Sequence, residues 1–121
     1  MEQGTNNKEF FTNWESQVKK GLLAYIIMLF LENKKYYGYE LINDIKKSIN
    51  LEIAEGTIYP LLNRLKSDGL INSEWFQMET GIPRKYYELT NEGLSILQKM
   101  KDSWFDLNFA VKKLIHLNEK T

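Results

Sequence analysis

The stretch Glu55 to Asp68, EGTIYPLLNRLKSD, constrains the fold most, because its two sides need different surroundings. At about 100° per residue, Ile58, Leu61, Leu62 and Leu65 fall in one arc, with the i, i+3, i+4, i+7 spacing of a buried helical stripe. The opposite arc carries Tyr59, Pro60, Asn63, Arg64 and Ser67, with no carboxylate among them. Such a face suits base edges and phosphates, since asparagine pairs bidentately with adenine and arginine with guanine. Many such faces are simply solvated, so the neighbouring segments must decide. Glu55 places a carboxylate at the positive end of the helix, although Ala54 is a poor N-cap and Pro60 removes one intrahelical hydrogen bond. Asp68-Gly69 stops the helix, because glycine accepts the left-handed conformation just past a C-terminus.

Upstream, Met1 to Asn7 are polar and read as a frayed start. From about Lys8 to Glu32 the pattern is helical with two apolar stripes. One runs Phe11, Trp14, Val18, Gly21, Tyr25, Met28, and the other gathers Leu23, Ile26, Ile27 and Phe30. Either both stripes belong to one core, or the second faces the core and the first faces another molecule. After a polar break at Asn33-Lys34-Lys35, Leu41, Ile42, Ile45 and Ile49 mark a short amphipathic helix from Tyr39, and Asn50 to Ala54 connect it to the focal helix. Downstream, Leu70 to Met78 favours a strand, Glu79 to Pro83 is turn chemistry, and Arg84 to Leu89 is a second strand. This predicts a β-hairpin whose returning strand opens with two cations.

Thr90 then caps a last helix running to about Leu117. Its apolar positions Leu97, Met100, Trp104, Leu107, Val111 and Leu114 are spaced 3, 4, 3, 4, 3, a heptad seam, with Phe105, Phe109 and Ile115 widening one flank. That is more apolar surface than docking on one small domain requires, so a second copy is expected. The fold class is mainly α with a small β-hairpin. It is a winged helix-turn-helix with an N-terminal helix extension and a long C-terminal dimerisation helix. The division is 1–89 for the DNA-binding domain and 90–121 for the dimerisation helix.

Charge argues in both directions. The 121 residues carry 16 basic and 16 acidic groups, short of the basic excess usual in nucleic-acid binders. Yet the only two arginines, Arg64 and Arg84, both fall in the segments assigned to DNA. A winged helix serving protein contacts alone therefore stands as the alternative. With one histidine, His116, and no cysteine, neither a catalytic constellation nor a metal site is expected, and no cofactor is implied. The N-terminus lacks a signal pattern and the longest apolar run is too short for a membrane span, which points to a cytoplasmic protein.

Several motifs in order resemble the PadR family of bacterial transcriptional regulators. They are Gly38-Tyr39-Glu40-Leu41, Gly56-Thr57-Ile58-Tyr59-Pro60 followed by Arg64-Leu65, Asp68-Gly69-Leu70-Ile71, Pro83-Arg84-Lys85-Tyr86-Tyr87, and Leu89-Thr90. The resemblance spans roughly Leu22 to Gly93. Tyr37 departs from it, standing where many members carry histidine. The length and single C-terminal helix are similar to the short subgroup, which includes multidrug-binding repressors.

The resemblance implies a homodimeric repressor on a pseudo-palindromic double-stranded operator, each focal helix in a major groove and each wing near a minor groove. Tyr59 and Asn63 are candidates for base or sugar contact. Thr57, Arg64, Ser67 and Lys85 are candidates for phosphate, and Arg84 for phosphate or minor groove. Expected at the dimer interface are Phe11, Trp14, Leu97, Met100, Trp104, Leu107, Val111 and Leu114. In the multidrug binders a tryptophan on the last helix flanks an apolar pore. Trp104 looks like that residue, with Val18, Tyr25, Met28, Asn108 and Val111 lining the same space for a planar aromatic or phenolic effector. Trp104 as plain dimer core is the other reading.

Overall fold

In the computed structural model, which describes residues 2–50 and 55–119 (side chains from 6–50 and 56–119), the two central helices form where the apolar spacing is helical and stop at residues in a left-handed turn. The order is α1 (Glu2–Asn33), β1 (Tyr36–Tyr37), α2 (Gly38–Ile49), α3 (Glu55–Ser67), β2 (Ile71–Phe76), β3 (Arg84–Leu89) and α4 (Asn91–Glu119). Asn50 closes α2 at φ 49° and Gly69 closes α3 at φ 79°. At the α3 end, the Leu70 amide donates to the Leu65 carbonyl at 3.0 Å and the Gly69 amide to that of Lys66 at 3.0 Å. This pair of bonds satisfies carbonyls that a helix end would otherwise leave open.

The core is one cluster. Leu23, Ile27 and Leu31 of α1, Leu41, Ile42 and Ile45 of α2, and Ile58, Leu62 and Leu65 of α3 close around Ile71, Tyr36 and Tyr87 of the sheet. Burial of each such side chain contributes about 1.5–3 kcal/mol relative to exposure. The stripe read on α3 is therefore the anchor that fixes its other face outward.

Four expectations are corrected. The helix expected from Lys8 begins at Glu2, because no proline interrupts the segment and each added residue gains a backbone bond once a helix exists. The sheet has three strands in the order β1-β3-β2, with Tyr36 opposite Tyr87 and Tyr37 opposite Tyr86. Two residues are too few to show a period of two, so β1 is invisible as a pattern. Met28, assigned to the outward stripe of α1, is 0% exposed. A 3.5-residue spacing drifts by about 20° per heptad on a straight helix, which carries that stripe round onto the core by its last member. Leu97, assigned to the seam of α4, is also 0% exposed, packed inside its own chain. The connector read at Asn50 to Ala54 lies outside the described residues beyond Asn50.

α4 starts on the end of α3. The Thr90 amide donates to the Leu70 carbonyl at 3.1 Å, and the Thr90 hydroxyl accepts the Gly93 amide at 2.9 Å. That hydroxyl proton is directed at the Gly69 carbonyl, 2.7 Å away, with the Leu70 carbonyl at 3.2 Å. α4 then runs antiparallel to α1, and Lys101 grips both carboxylate oxygens of Glu32 at 2.8 and 2.9 Å. Phe105 and Phe109 stack on each other at 6.4 Å. At about 100° per residue they face away from Leu107, so they form a separate aromatic face rather than a flank of the seam.

Candidate nucleic-acid interface

With Ile58, Leu62 and Leu65 inward, α3 presents Thr57, Asn63, Arg64 and Ser67 to solvent. From Gly56 to Ser67 the helix carries no carboxylate, and its last turn carries Arg64 and Lys66. Lys66 donates to the Ser73 hydroxyl at 2.7 Å and so ties α3 to β2. Tyr59 is 37% exposed, and its phenol leans over the start of α2: a methyl group at Gly38 would lie 2.9 Å from its oxygen. Tyr87 lies beneath, and burial, with a smaller contribution from Tyr59, raises its phenol above the ordinary range. Asn63 therefore faces outward more freely than Tyr59.

The wing is the β2–β3 hairpin, paired from Ile71 with Leu89 out to Phe76 with Arg84. The tip is held by the Gly81 backbone amide on the Met78 carbonyl at 2.9 Å and the Gln77 side-chain Nε2 on the Gly81 carbonyl at 3.0 Å, with Gly81 at φ 86°. Arg84 and Lys85, the two cations that open the returning strand, point to opposite faces because successive strand residues alternate. Lys85 lies 5.7 Å from the Trp75 ring and 5.8 Å from Tyr87, on the side of the sheet that packs on the core. Arg84 lies 4.5 Å from the Tyr37 ring on the outer side. The exposed Trp75 beside Lys85 and the Tyr37 beside Arg84 were absent from the sequence-derived site, because only strand register brings them there.

The residues expected to hold an effector are only partly together. Tyr25 and Trp104 share an open, mostly apolar groove of about 400 Å³ between α1 and α4, whose other lining residues are Leu22, Ile96, Lys99, Met100, Ser103 and Leu107. Val18, Asn108 and Val111 lie outside that lining, and Met28 is beneath the surface. Of the expected interface residues, Phe11, Trp14, Trp104, Leu107, Val111 and Leu114 are exposed and Met100 is half-buried. Among the described residues no helix is long and apolar enough to cross a membrane.

The winged helix has many relatives. The sequence profile of the transcriptional regulator PadR-like family matches residues 27–99, which take in most of the core, α3 and the wing. A PadR-like transcription factor from Bacteroides fragilis is 44% identical, the match covering 84% of this chain and 98% of that one, with a TM-score of 0.70. A PadR-like transcriptional regulator from Bacillus cereus is 35% identical over 82% of this chain and 96% of that one, with a TM-score of 0.75. A protein of Lysinibacillus sphaericus is 31% identical over 104 residues, 84% of this chain and 92% of its own length. The alternative of a winged helix without DNA gives way to this kinship. The chain belongs to the PadR-like family of transcriptional regulators, and is a DNA-binding regulator rather than an enzyme.

Proposed function

We propose that the protein is a homodimeric repressor of the family's short, single-C-terminal-helix subgroup, acting on a pseudo-palindromic operator. One observation carries this reading: among the described residues, the outer ends of α1 and α4 leave Phe11, Trp14, Leu107, Val111 and Leu114 between 45% and 61% exposed, in apolar stripes. A monomer rarely leaves so much apolar surface in water, and a two-fold partner covers it with the same stripes in reverse. Residues 1–89 then form the reading unit and 90–121 the dimerisation helix, although the first turns of that helix also complete the core through Leu97. In the dimer each α3 enters a major groove and each wing approaches the flanking minor groove. Asn63 reads bases with Tyr59 at its side. Thr57, Arg64, Ser67 and Lys85 hold phosphates, and Arg84 holds phosphate or the minor-groove wall.

The α1–α4 groove, with Trp104 and Tyr25 on its walls, falls in the size range of small-molecule sites and supports a planar aromatic or phenolic effector that relieves repression. Footprinting of a duplex selected from a random pool, with sedimentation of the same complex, tests the reading. Two protected half-sites about one helical turn apart, or a multiple of that, are expected under a dimer. One asymmetric site under a monomer would overturn it.

A further inference from the structure

The two cations that open β3 are held in different ways, and the difference lies in Tyr37. The Arg84 guanidinium stands 4.5 Å from the centre of the Tyr37 ring, within the roughly 6 Å over which a ring face attracts a cation. Tyr37 is itself fixed. It meets Tyr86 edge-on at 5.7 Å, and Tyr86 meets Phe76 edge-on at 5.2 Å. The three rings come one from each strand and share the outer face of the sheet, as the register requires. On the same face, Glu74 lies opposite Tyr86 and Glu88 is engaged by Lys35 at 3.5 Å, and no carboxylate among the described residues forms an ion pair with Arg84.

A salt bridge would occupy the N–H edge of a guanidinium. A ring occupies only its face, and the five N–H groups remain free to donate in plane to a phosphate. An exposed arginine otherwise disperses over many rotamers and loses that freedom on binding. We infer that Tyr37 is the positioning residue of Arg84: its ring holds the guanidinium at the outer end of the paired strands, unpaired and oriented, before DNA arrives. The inference rests on the reading of Arg84 as a DNA contact.

Affinity and its salt dependence separate the two, measured for the whole protein on a duplex that the unaltered protein selects from a random-sequence pool. Arg84→Ala is expected to weaken binding and lower the salt slope by about one. Tyr37→Phe keeps the ring face and is expected to bind like the unaltered protein. Tyr37→Leu is expected to lose about three-fold, the worth of one exposed cation–ring contact, and to lose nothing further when Arg84 is already alanine. An Arg84→Ala protein with full affinity would remove Arg84 from the interface. If Arg84→Ala weakens binding while Tyr37→Leu does not, or if Tyr37→Leu costs as much without Arg84 as with it, the positioning role is overturned. Tighter binding by Tyr37→Leu would also overturn it, since the ring would then be withholding the arginine.

Discussion

A methyl group added at Gly93, in the first turn of α4, would overlap the carbonyl oxygen of Leu70, whereas one added at Gly56, in the first turn of α3, would meet nothing within 4 Å. The two substitutions should therefore have opposite signs. Gly93→Ala is expected to lower stability by about 2–3 kcal/mol through overpacking against backbone. Gly56→Ala should raise it by about 0.5–1 kcal/mol, because alanine is the better helix former. Urea unfolding midpoints would show this, and an unchanged midpoint for Gly93→Ala would contradict the close contact. On the reading face, Lys85→Ala should weaken operator and unrelated duplexes alike and reduce the salt slope by about one, while Asn63→Ala should mainly relax sequence preference. Equal losses on all sequences from Asn63→Ala would take it out of base reading. The outward placement of Asn63 and Arg64 was legible in the sequence, because the buried stripe of α3 fixes both faces at once. The lean of Tyr59 toward Gly38 was not, since it depends on where α2 begins relative to α3.

Among the elements, α4 changes its surroundings along its length. Its Leu97 is sealed in the chain's own core, and Leu107, ten residues on, is 58% exposed. A spacing of threes and fours states that a face is covered but not by what, so the sequence could not separate the part that serves the core from the part that the chain leaves exposed. The same ambiguity placed Met28 on the wrong side of α1. Leu107→Glu tests the division: sedimentation should show monomers with intact helical content, and operator affinity should collapse with the lost second half-site. A dimer that survives Leu107→Glu would move the interface elsewhere. The substitution Leu97→Glu should instead unfold the chain, because an unpaired carboxylate would enter the core. The hairpin was legible from its turn residues and β-branched and aromatic strands, whereas β1 emerges only from the antiparallel partner that β3 offers it.

In the whole molecule, the aromatic groove and the reading face are carried by one body. If a planar aromatic compound stacks on Trp104, its binding must shift DNA affinity by its differential affinity for the two arrangements of the dimer. Fluorescence titration run beside Trp104→Ala, which leaves Trp14 and Trp75 as background, is expected to show quenching in the parent alone, with weaker operator binding at saturation. Equal quenching in both proteins, or quenching without a change in operator affinity, would leave Trp104 as interface only. The neutral total charge gave no hint of a polyanion partner. The charges had to be located before Arg64, Lys66, Arg84 and Lys85 could be seen along α3 and the wing. The Leu70 carbonyl, which receives the Thr90 amide where α3 ends and α4 begins, leaves no slack loop between the two helices. A turn applied to α4 is therefore expected to reach the end of α3 through this bond, much as a crank passes the angle of its handle to its blade.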